Sequence, residues 1–203
     1  MTKHIFGVAL AALSLAIPAA APAQRAPAAS VVVVDTDRIY RDCNACRAAQ
    51  TQIQTQVQAA QTRAQQLGQP IQTEAQAIQT AAQAARNQSG AARTTAETAL
   101  QQRAQALQTR QNTANQELQR LEQNIQSIRA NVVRQINERL NPIVNQVMTA
   151  RGANVALDVQ ATIARAQALD VTNEVLAALN QQLPSVSVTP LPQQPQQPQP
   201  QGR

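Results

Sequence analysis

The chain has 203 residues and carries 17 Lys and Arg against 11 Asp and Glu, a formal net charge of +6. It contains one Tyr, one Phe and no Trp, which excludes a large core anchored by aromatic side chains. Ala, Gln and Arg dominate instead, and because all three favour helices, much of the chain is predicted to be long helix rather than a compact globule.

The first 23 residues have the layout of a secretory signal peptide. Lys3 and His4 precede an apolar run over residues 5–17, and a stretch of small residues ends at Ala23. The run is shorter than the roughly 20 apolar residues that span a bilayer, so a membrane anchor is not predicted. We expect cleavage between Ala23 and Gln24 and export of a soluble mature protein to the periplasm.

A short strand and a helical turn follow this leader. Val31–Val34 is a β-branched run, which predicts a buried strand. Thr36 and Asp37 are residue types that begin helices, and they precede a turn that carries Ile39. Residues 24–41 are therefore predicted to form one part of a small β-rich body.

Residues 42–151 show helical periodicity in two stretches. Apolar residues spaced by threes and fours run over residues 46–85 and again over residues 100–147. The second stretch keeps a heptad spacing over residues 100–132, and Asn87–Gly90 between the two stretches is a turn signal. We predict an antiparallel coiled-coil hairpin, the arm, with its tip near residues 87–90.

The arm is predicted to bend and to be only marginally stable. Gly68 and Pro70 interrupt the first helix, and the apolar positions of that helix are mostly Ala. At 1.5 Å per residue, a helix of about 45 residues reaches about 65 Å. Such a long, weakly packed hairpin is expected to be mobile near its tip at Gly90.

The sequence after the arm predicts further short elements and a tail. Residues 154–159 alternate apolar and polar side chains and predict a half-buried strand, and residues 162–166 predict another. A final helix is predicted over residues 171–183. Residues 184–203 are rich in Pro and Gln and are predicted to be a disordered tail.

Residues 24–41 and 152–183 together make up the predicted body, and the fold class is mainly α with a small β part. Three short strands and one helix bury too little surface to be stable alone, so an obligate oligomer is expected. The strands at the two ends of the arm would meet in this body. Its predicted core residues are Val32, Val34, Val155, Leu157 and Val159.

Positive charge is concentrated on the arm. Residues 47–151 contain eleven Arg and five Glu, whereas the rest of the mature chain has a net charge of −1. Such a field attracts acidic partners and anionic lipid surfaces, while no motif or stacking aromatic side chain points to nucleic acid. A solvated charged face is the alternative interpretation. The candidate contact residues near the tip are Arg86, Arg93, Arg103 and Arg110.

Three segments around the basic hairpin resemble the Skp/OmpH family of periplasmic chaperones. They are residues 31–39, residues 151–158 and residues 170–176, and the resemblance covers the mature chain except its tail. It implies a homotrimer in which a β-rich body carries three arms around a cavity. It also implies that unfolded outer-membrane proteins are held there without ATP. The arginines of the arm are expected to add attraction to acidic clients and to anionic lipid or lipopolysaccharide.

The sequence departs from the family pattern in three ways. The arm has no Lys where the family is usually Lys-rich, the Pro/Gln tail is additional, and Cys43 and Cys46 form a C-x-x-C motif that is not a family feature. A structural disulfide at the start of the first long helix is predicted. Free or inter-subunit thiols and a redox-active dithiol are the alternatives.

No enzyme, metal or cofactor is predicted. The only His, His4, lies in the leader, and two Cys are too few for a zinc site within one chain. No βαβ pattern surrounds the C-x-x-C motif, and no Gly-rich phosphate loop is present. Besides the chaperone, two functions stay open: a structural coiled-coil scaffold of the cell envelope, and a thiol–disulfide protein that uses Cys43 and Cys46.

Overall fold

The computed structural model describes residues 28–191, so the predicted cleavage site at Ala23 and Gln24 and residues 192–203 lie outside the described residues. The chain forms a long helical hairpin on a small body, which confirms the predicted fold class. The elements are β1 (Val31–Val34), α1 (Thr36–Asp42), α2 (Asn44–Arg86), α3 (Gly90–Ala150), β2 (Val155–Asp158), two 3-10 turns (Val159–Ala161 and Gln167–Leu169) and α4 (Thr172–Gln182).

Helices α2 and α3 pack against each other and form the arm. A short turn after Arg86 joins them, and Gly90 adopts φ 59°, a left-handed conformation that favours glycine. The interruption predicted at Gly68 and Pro70 is not present, because α2 is continuous through both residues. A single Pro removes only one backbone hydrogen bond, and the neighbouring turns and the packing on α3 keep the helix together.

The two strands pair in parallel at the base of the arm. Val31 lies opposite Val155 and Val34 opposite Asp158. Parallel strands need a long connection, and here the whole arm is that connection. On the other side of β1, the carbonyl oxygen of Val33 accepts a hydrogen bond from the backbone N–H of Val171 at 3.0 Å. Strand β1 is therefore the centre of the body.

The hydrophobic core lies where α1, α4 and the base of α3 meet β1. Ile39, Ile136 and Leu179 are almost completely buried in it, and Val32 and Val34 lie in the same cluster, as predicted from the sequence. Toward the tip the arm has no comparable core. The body thus anchors one end of a hairpin that is otherwise thinly packed.

The face of β2 that packs against the core is not the one that the alternation of apolar and polar residues suggested. Ala156, opposite Val32, packs against the core, whereas Leu157 is 38% exposed, and Val155 and Val159 are half-buried. Residues opposite each other in a parallel pair share a face, so the register decides which set is internal. Burial of Val155, Leu157 and Val159 stays a prediction for an assembled oligomer.

Residues 162–166 do not form the predicted strand. The backbone there lies between the two 3-10 turns, and Ile163 is fully exposed. Within residues 28–191, one edge of β1 is taken by β2 and the other by the bridge to Asp170. No edge of β1 is left for these residues to join.

The first part of the predicted disordered tail is ordered. Residues 184–191 lie extended against α3, and Val186 and Val188 pack against the core cluster. The composition is polar, but the alternating valines give this segment an apolar side that can be buried. None of the helices in residues 28–191 combines the length and hydropathy that crossing a membrane requires.

Candidate functional site

The arm exposes apolar side chains along most of its length. Past Ile128, toward the tip, the large apolar residues at the α2–α3 contact are all only half-buried. These residues are Val57, Leu67, Ile71, Ile78, Leu100, Leu107, Leu118, Leu121 and Ile125. In that part of the arm, only Ala85 and Ala114 are fully buried at the contact. A surface of this kind offers many small apolar contacts to another polypeptide.

Two ion pairs connect the helices of the arm. Arg63 Nε lies 2.6 Å from Glu117 Oε1, and Arg103 Nε lies 2.8 Å from Glu74 Oε1. In each pair a second guanidinium nitrogen reaches the other carboxylate oxygen, so the contact is bidentate. The hydrogen bond from Arg103 lowers the pKa of Glu74, and that from Arg63 lowers the pKa of Glu117. These pairs hold the two helices in one register.

These ion pairs were not predicted from the sequence. Ala75 and Ala104 belong to the runs of residues spaced by threes and fours, a spacing that predicts both at the helix contact. Both are exposed, and Glu74 and Arg103 lie at the contact instead. In an antiparallel hairpin, paired residues are about equally far from the turn. Glu74 and Arg103 meet this condition, so opposite charges at matched distances from the predicted tip were the signal available.

The four candidate arginines have different surroundings. Arg103 is bound to Glu74, and Arg93 pairs with Glu97 one turn further along α3 at 2.8 Å. Arg86 and Arg110 are exposed, and neither has a carboxylate within ion-pair distance among residues 28–191. Arg86 and Arg110 are therefore the candidates available to bind an external anion.

Cys43 and Cys46 form a disulfide at the junction of α1 and α2, with their Cα atoms 5.1 Å apart. Cys43 has extended backbone angles and ends α1, and its Sγ accepts a hydrogen bond from the backbone N–H of Cys46 at 3.0 Å. Both residues are buried, with exposures of 1% and 6%. Thiol exchange needs an accessible sulfur, so this position favours a structural role over a redox role.

The segments that resemble a known family form the hydrogen-bond network of the body. Asp35 begins α1 by accepting a hydrogen bond from the backbone N–H of Arg38 at 2.8 Å. Its own N–H donates to Thr172 Oγ1 at 2.9 Å, and the Thr36 hydroxyl donates to the carboxylate of Asp158. This hydroxyl lowers the pKa of Asp158. The network joins β1, β2 and α4, so these segments fold as one unit.

One side of the body exposes apolar side chains. Leu157 on β2 is 38% exposed. A groove of about 600 Å³ lies next to β2 and is lined by Leu140, Met148 and Leu157 among others. Within the described residues, β2 pairs only with β1, so its other edge is open. This side, the body face, combines an open strand edge with apolar residues.

Comparison with known proteins finds one family model and solved structures that match this chain. The family model described as "Outer membrane protein (OmpH-like)" matches residues 30–179. A crystal structure of an OmpH-like protein from Caulobacter crescentus CB15, which has been proposed as an outer membrane chaperone, superposes with a TM-score of 0.65. The two are 21% identical, and the match covers 80% of this chain and 90% of that one. A search of curated proteins finds no match.

Proposed function

The chain belongs to the family of OmpH-like outer membrane proteins, and on this premise we propose that it is an ATP-independent periplasmic chaperone. It would bind unfolded outer-membrane β-barrel proteins between its arms and prevent their aggregation. The observation that carries the proposal is the arm itself. Over most of its length, the large apolar residues at the helix contact stay half-buried instead of closing into a core.

A surface of this kind can hold an unfolded client without trapping it. Apolar contact contributes about 25 cal/mol for each Å² removed from water, so partly covered side chains each add little. Many such contacts shield a client, and each breaks easily. Release therefore needs no nucleotide, because a client that begins to fold elsewhere withdraws its apolar residues one contact at a time.

A homotrimer is proposed as the working form. The body face, with Leu157 exposed at the open edge of β2 beside the groove lined by Leu140 and Met148, gives a second copy an apolar surface to cover. Joining bodies would bury these residues and direct the arms to one side. Light scattering of the mature protein at micromolar concentration should give the mass of a trimer, and a monomer mass would contradict the proposal.

The direct test of function uses a urea-unfolded outer-membrane β-barrel protein diluted into buffer. The mature protein should keep it soluble and form a complex whose mass corresponds to one trimer with one client. An oligomer that is stable but leaves the client to aggregate would point to the alternative, a structural scaffold of the envelope. The periplasmic assignment has its own test, since mass spectrometry should find a mature chain that begins at Gln24.

Arg86 and Arg110 are proposed to attract acidic clients or anionic lipids, including lipopolysaccharide. Both are exposed without an ion-pair partner among the described residues. Replacing both with Gln should weaken client binding several-fold at low salt. The difference should shrink as salt shortens the screening length to about 10 Å at 0.1 M. The matched control replaces Arg47 and Arg139, which are exposed near the base, and equal losses in both variants would reject a role for the tip.

A further inference from the structure

Residues 184–191, the C-terminal segment, run along α3 from the body toward the tip. The backbone N–H of Ser187 donates to the side-chain oxygen of Gln135 at 2.9 Å, and the Gln135 amide donates back to the Ser187 carbonyl at 3.0 Å. The same residue thus forms both hydrogen bonds, as a residue of a neighbouring antiparallel strand would. The side chain of Gln135 therefore pairs with the backbone of Ser187 in the way that the backbone of an adjacent strand would.

The contacts repeat along the helix at a regular interval. One turn further toward the tip, the Asn131 amide donates to the Thr189 carbonyl at 2.9 Å. After another turn, the Leu191 backbone N–H donates to Ser127 Oγ at 2.9 Å. Two residues of extended chain rise about 6.6 Å, while four residues of helix rise about 6.0 Å. The spacing matches an extended peptide to a row of side chains on α3.

The segment buries alternate side chains in a groove between the two helices of the arm. Val186 and Val188 face inward, and Ser187 between them is exposed. A cavity of about 420 Å³ is lined by Val188 and Pro190 at its base, and it continues toward the tip between Ala60 and Leu121. This cavity and the row Ser127, Asn131 and Gln135 together are called the arm groove.

The arm groove forms hydrogen bonds with the backbone of the C-terminal segment. It contacts the side chains of the segment only through apolar packing. Asn131 is 6% exposed, and one of its amide hydrogens is satisfied by the Thr189 carbonyl. All four hydrogen bonds between the segment and the side chains of Ser127, Asn131 and Gln135 use backbone atoms of the segment. Any extended chain with apolar residues at alternate positions presents the same groups.

We propose that the arm groove binds extended segments of unfolded polypeptide with alternating apolar residues, and that the C-terminal segment occupies the groove while no client is present. The inference rests on the chaperone function proposed above and specifies a binding site for it. β-Barrel strands have this alternation, because one side faces lipid and the other the lumen. The C-terminal segment is the internal competitor that a client strand displaces.

The C-terminal segment competes strongly with a client because it belongs to the same chain as the groove. It is joined to α4 directly after Gln182, so its local concentration at the groove corresponds to roughly millimolar free peptide. Weak client segments would leave it in place, whereas a long client that also contacts the arm elsewhere would displace it. The segment therefore sets a threshold for binding and returns to the groove when the client leaves.

The test measures binding of a fluorescein-labelled peptide with the sequence of residues 184–191 to the mature full-length protein, by fluorescence anisotropy. Val188→Asp introduces a charge on the buried side of the segment and should release it, so peptide affinity should rise about tenfold. Ser185→Asp is the matched control, because it adds the same charge at an exposed position of the segment and should change nothing. An unlabelled peptide of alternating Val and Ser should compete with the probe.

A second variant tests the groove itself. Adding Gln135→Ala to Val188→Asp should abolish the gain in affinity, while adding Gln102→Ala, an exposed glutamine near the tip, should keep it. Equal peptide affinity in Val188→Asp and Ser185→Asp, or no competition by the Val/Ser peptide, would overturn the inference. Client aggregation is measured on the same proteins. If the full-length protein prevents client aggregation although the peptide results are negative, the arm groove is rejected as a binding site and the proposed chaperone function stands.

Discussion

At the scale of single residues, opposite charges determine how the helices of the arm align. The apolar contact of the arm is too thin and too rich in Ala to select one register strongly, because Ala fits against Ala in several alignments. Glu74 with Arg103 and Glu117 with Arg63 each form a bidentate pair across the contact. Shifting α2 by one turn would separate both pairs at once. Polar residues thus supply the specificity that the apolar contact lacks.

Replacing Glu74 with Gln should destabilise the arm at pH 7. The hydrogen bond from Arg103 lowers the pKa of Glu74 below its ordinary value of 4.5, so the ionised form stabilises the folded state above that pH. The stabilisation is lost as the pH falls through the lowered pKa. Thermal melting followed at 222 nm should therefore differ between wild type and variant at pH 7, and the difference should shrink as the pH is lowered below 4.5.

The control for this prediction is Glu97→Gln, whose carboxylate pairs with Arg93 on the same helix. This variant should lower the melting temperature less than Glu74→Gln does, since the Arg93–Glu97 pair does not connect α2 to α3. Equal effects of the two variants would show that the cross-helix pairs do not set the alignment.

The disulfide at the start of α2 is expected to stabilise the body without taking part in function. Because Cys43 and Cys46 are only three residues apart, the entropy of the small closed loop corresponds to about 2 kcal/mol. Replacing both with Ser should lower the free energy of unfolding by this amount. Client protection should be unchanged, and its loss in a folded double-Ser protein would support the thiol–disulfide alternative.

Replacing both cysteines with Ala separates the disulfide from the cap. Cys43 Sγ accepts the hydrogen bond from the N–H of residue 46 that a Ser hydroxyl also accepts, but Ala does not. The double-Ala variant should lose a further ~1 kcal/mol. Urea unfolding at equal protein concentration measures both differences, and equal stability of the Ser and Ala variants would show that capping here is unimportant.

At the scale of elements, two glycines of the arm have opposite roles. Gly68 lies within α2 and has ordinary helical geometry, and a Cβ built there contacts nothing within 4 Å. Gly90 begins α3 with φ 59°, a conformation that other residues adopt only under strain. The first glycine makes the helix more flexible, and the second makes the turn at the tip possible.

Ala substitutions at these positions should change stability in opposite directions. Gly68→Ala should raise the free energy of unfolding by about 0.5–1 kcal/mol, since Ala restricts the unfolded chain and fits the helix. Gly90→Ala should lower it by roughly 1–2 kcal/mol because of the left-handed backbone. Urea midpoints at equal protein concentration test both. A stabilising Gly90→Ala would show that the turn is not held in this conformation.

At the scale of the whole molecule, the body face is proposed to determine assembly. It has exposed Leu157 next to the open edge of β2, whereas the opposite side of β1 is closed by the segment before α4. Open strand edges and apolar side chains together favour association of copies. The number of arms around a client then follows from how many bodies join.

Leu157→Glu should convert the proposed trimer to a monomer, as measured by light scattering. A carboxylate in an apolar interface loses its hydration without gaining a partner, which opposes association. Val133→Glu is the matched control, because Val133 is 46% exposed on α3 and lies nearer the tip than the part of α3 that lines the groove next to β2. Retention of the oligomer mass in Leu157→Glu would show that copies meet through another surface.

Local features of the sequence are sufficient to predict the two long helices, the first strand and the final helix of this protein, but they also predicted a strand at residues 162–166 that does not form. The heptad spacing over residues 100–132 and the turn at residues 87–90 predict a hairpin, and four consecutive valines predict the first strand. These predictions succeed because helix periodicity and turn chemistry depend on residues within a few positions of each other. The same local logic located the disulfide at the start of the long helix.

Only the tertiary structure decided which residues face each other across these elements. The register of β1 and β2 placed Ala156 rather than Leu157 toward the core, and the crossing of the arm helices brought Glu74 to Arg103. The course of residues 184–191 along α3 was likewise not predictable from their Pro-rich composition. Each of these contacts joins residues distant in sequence, where small differences in packing energy choose among several alignments that the local pattern allows equally.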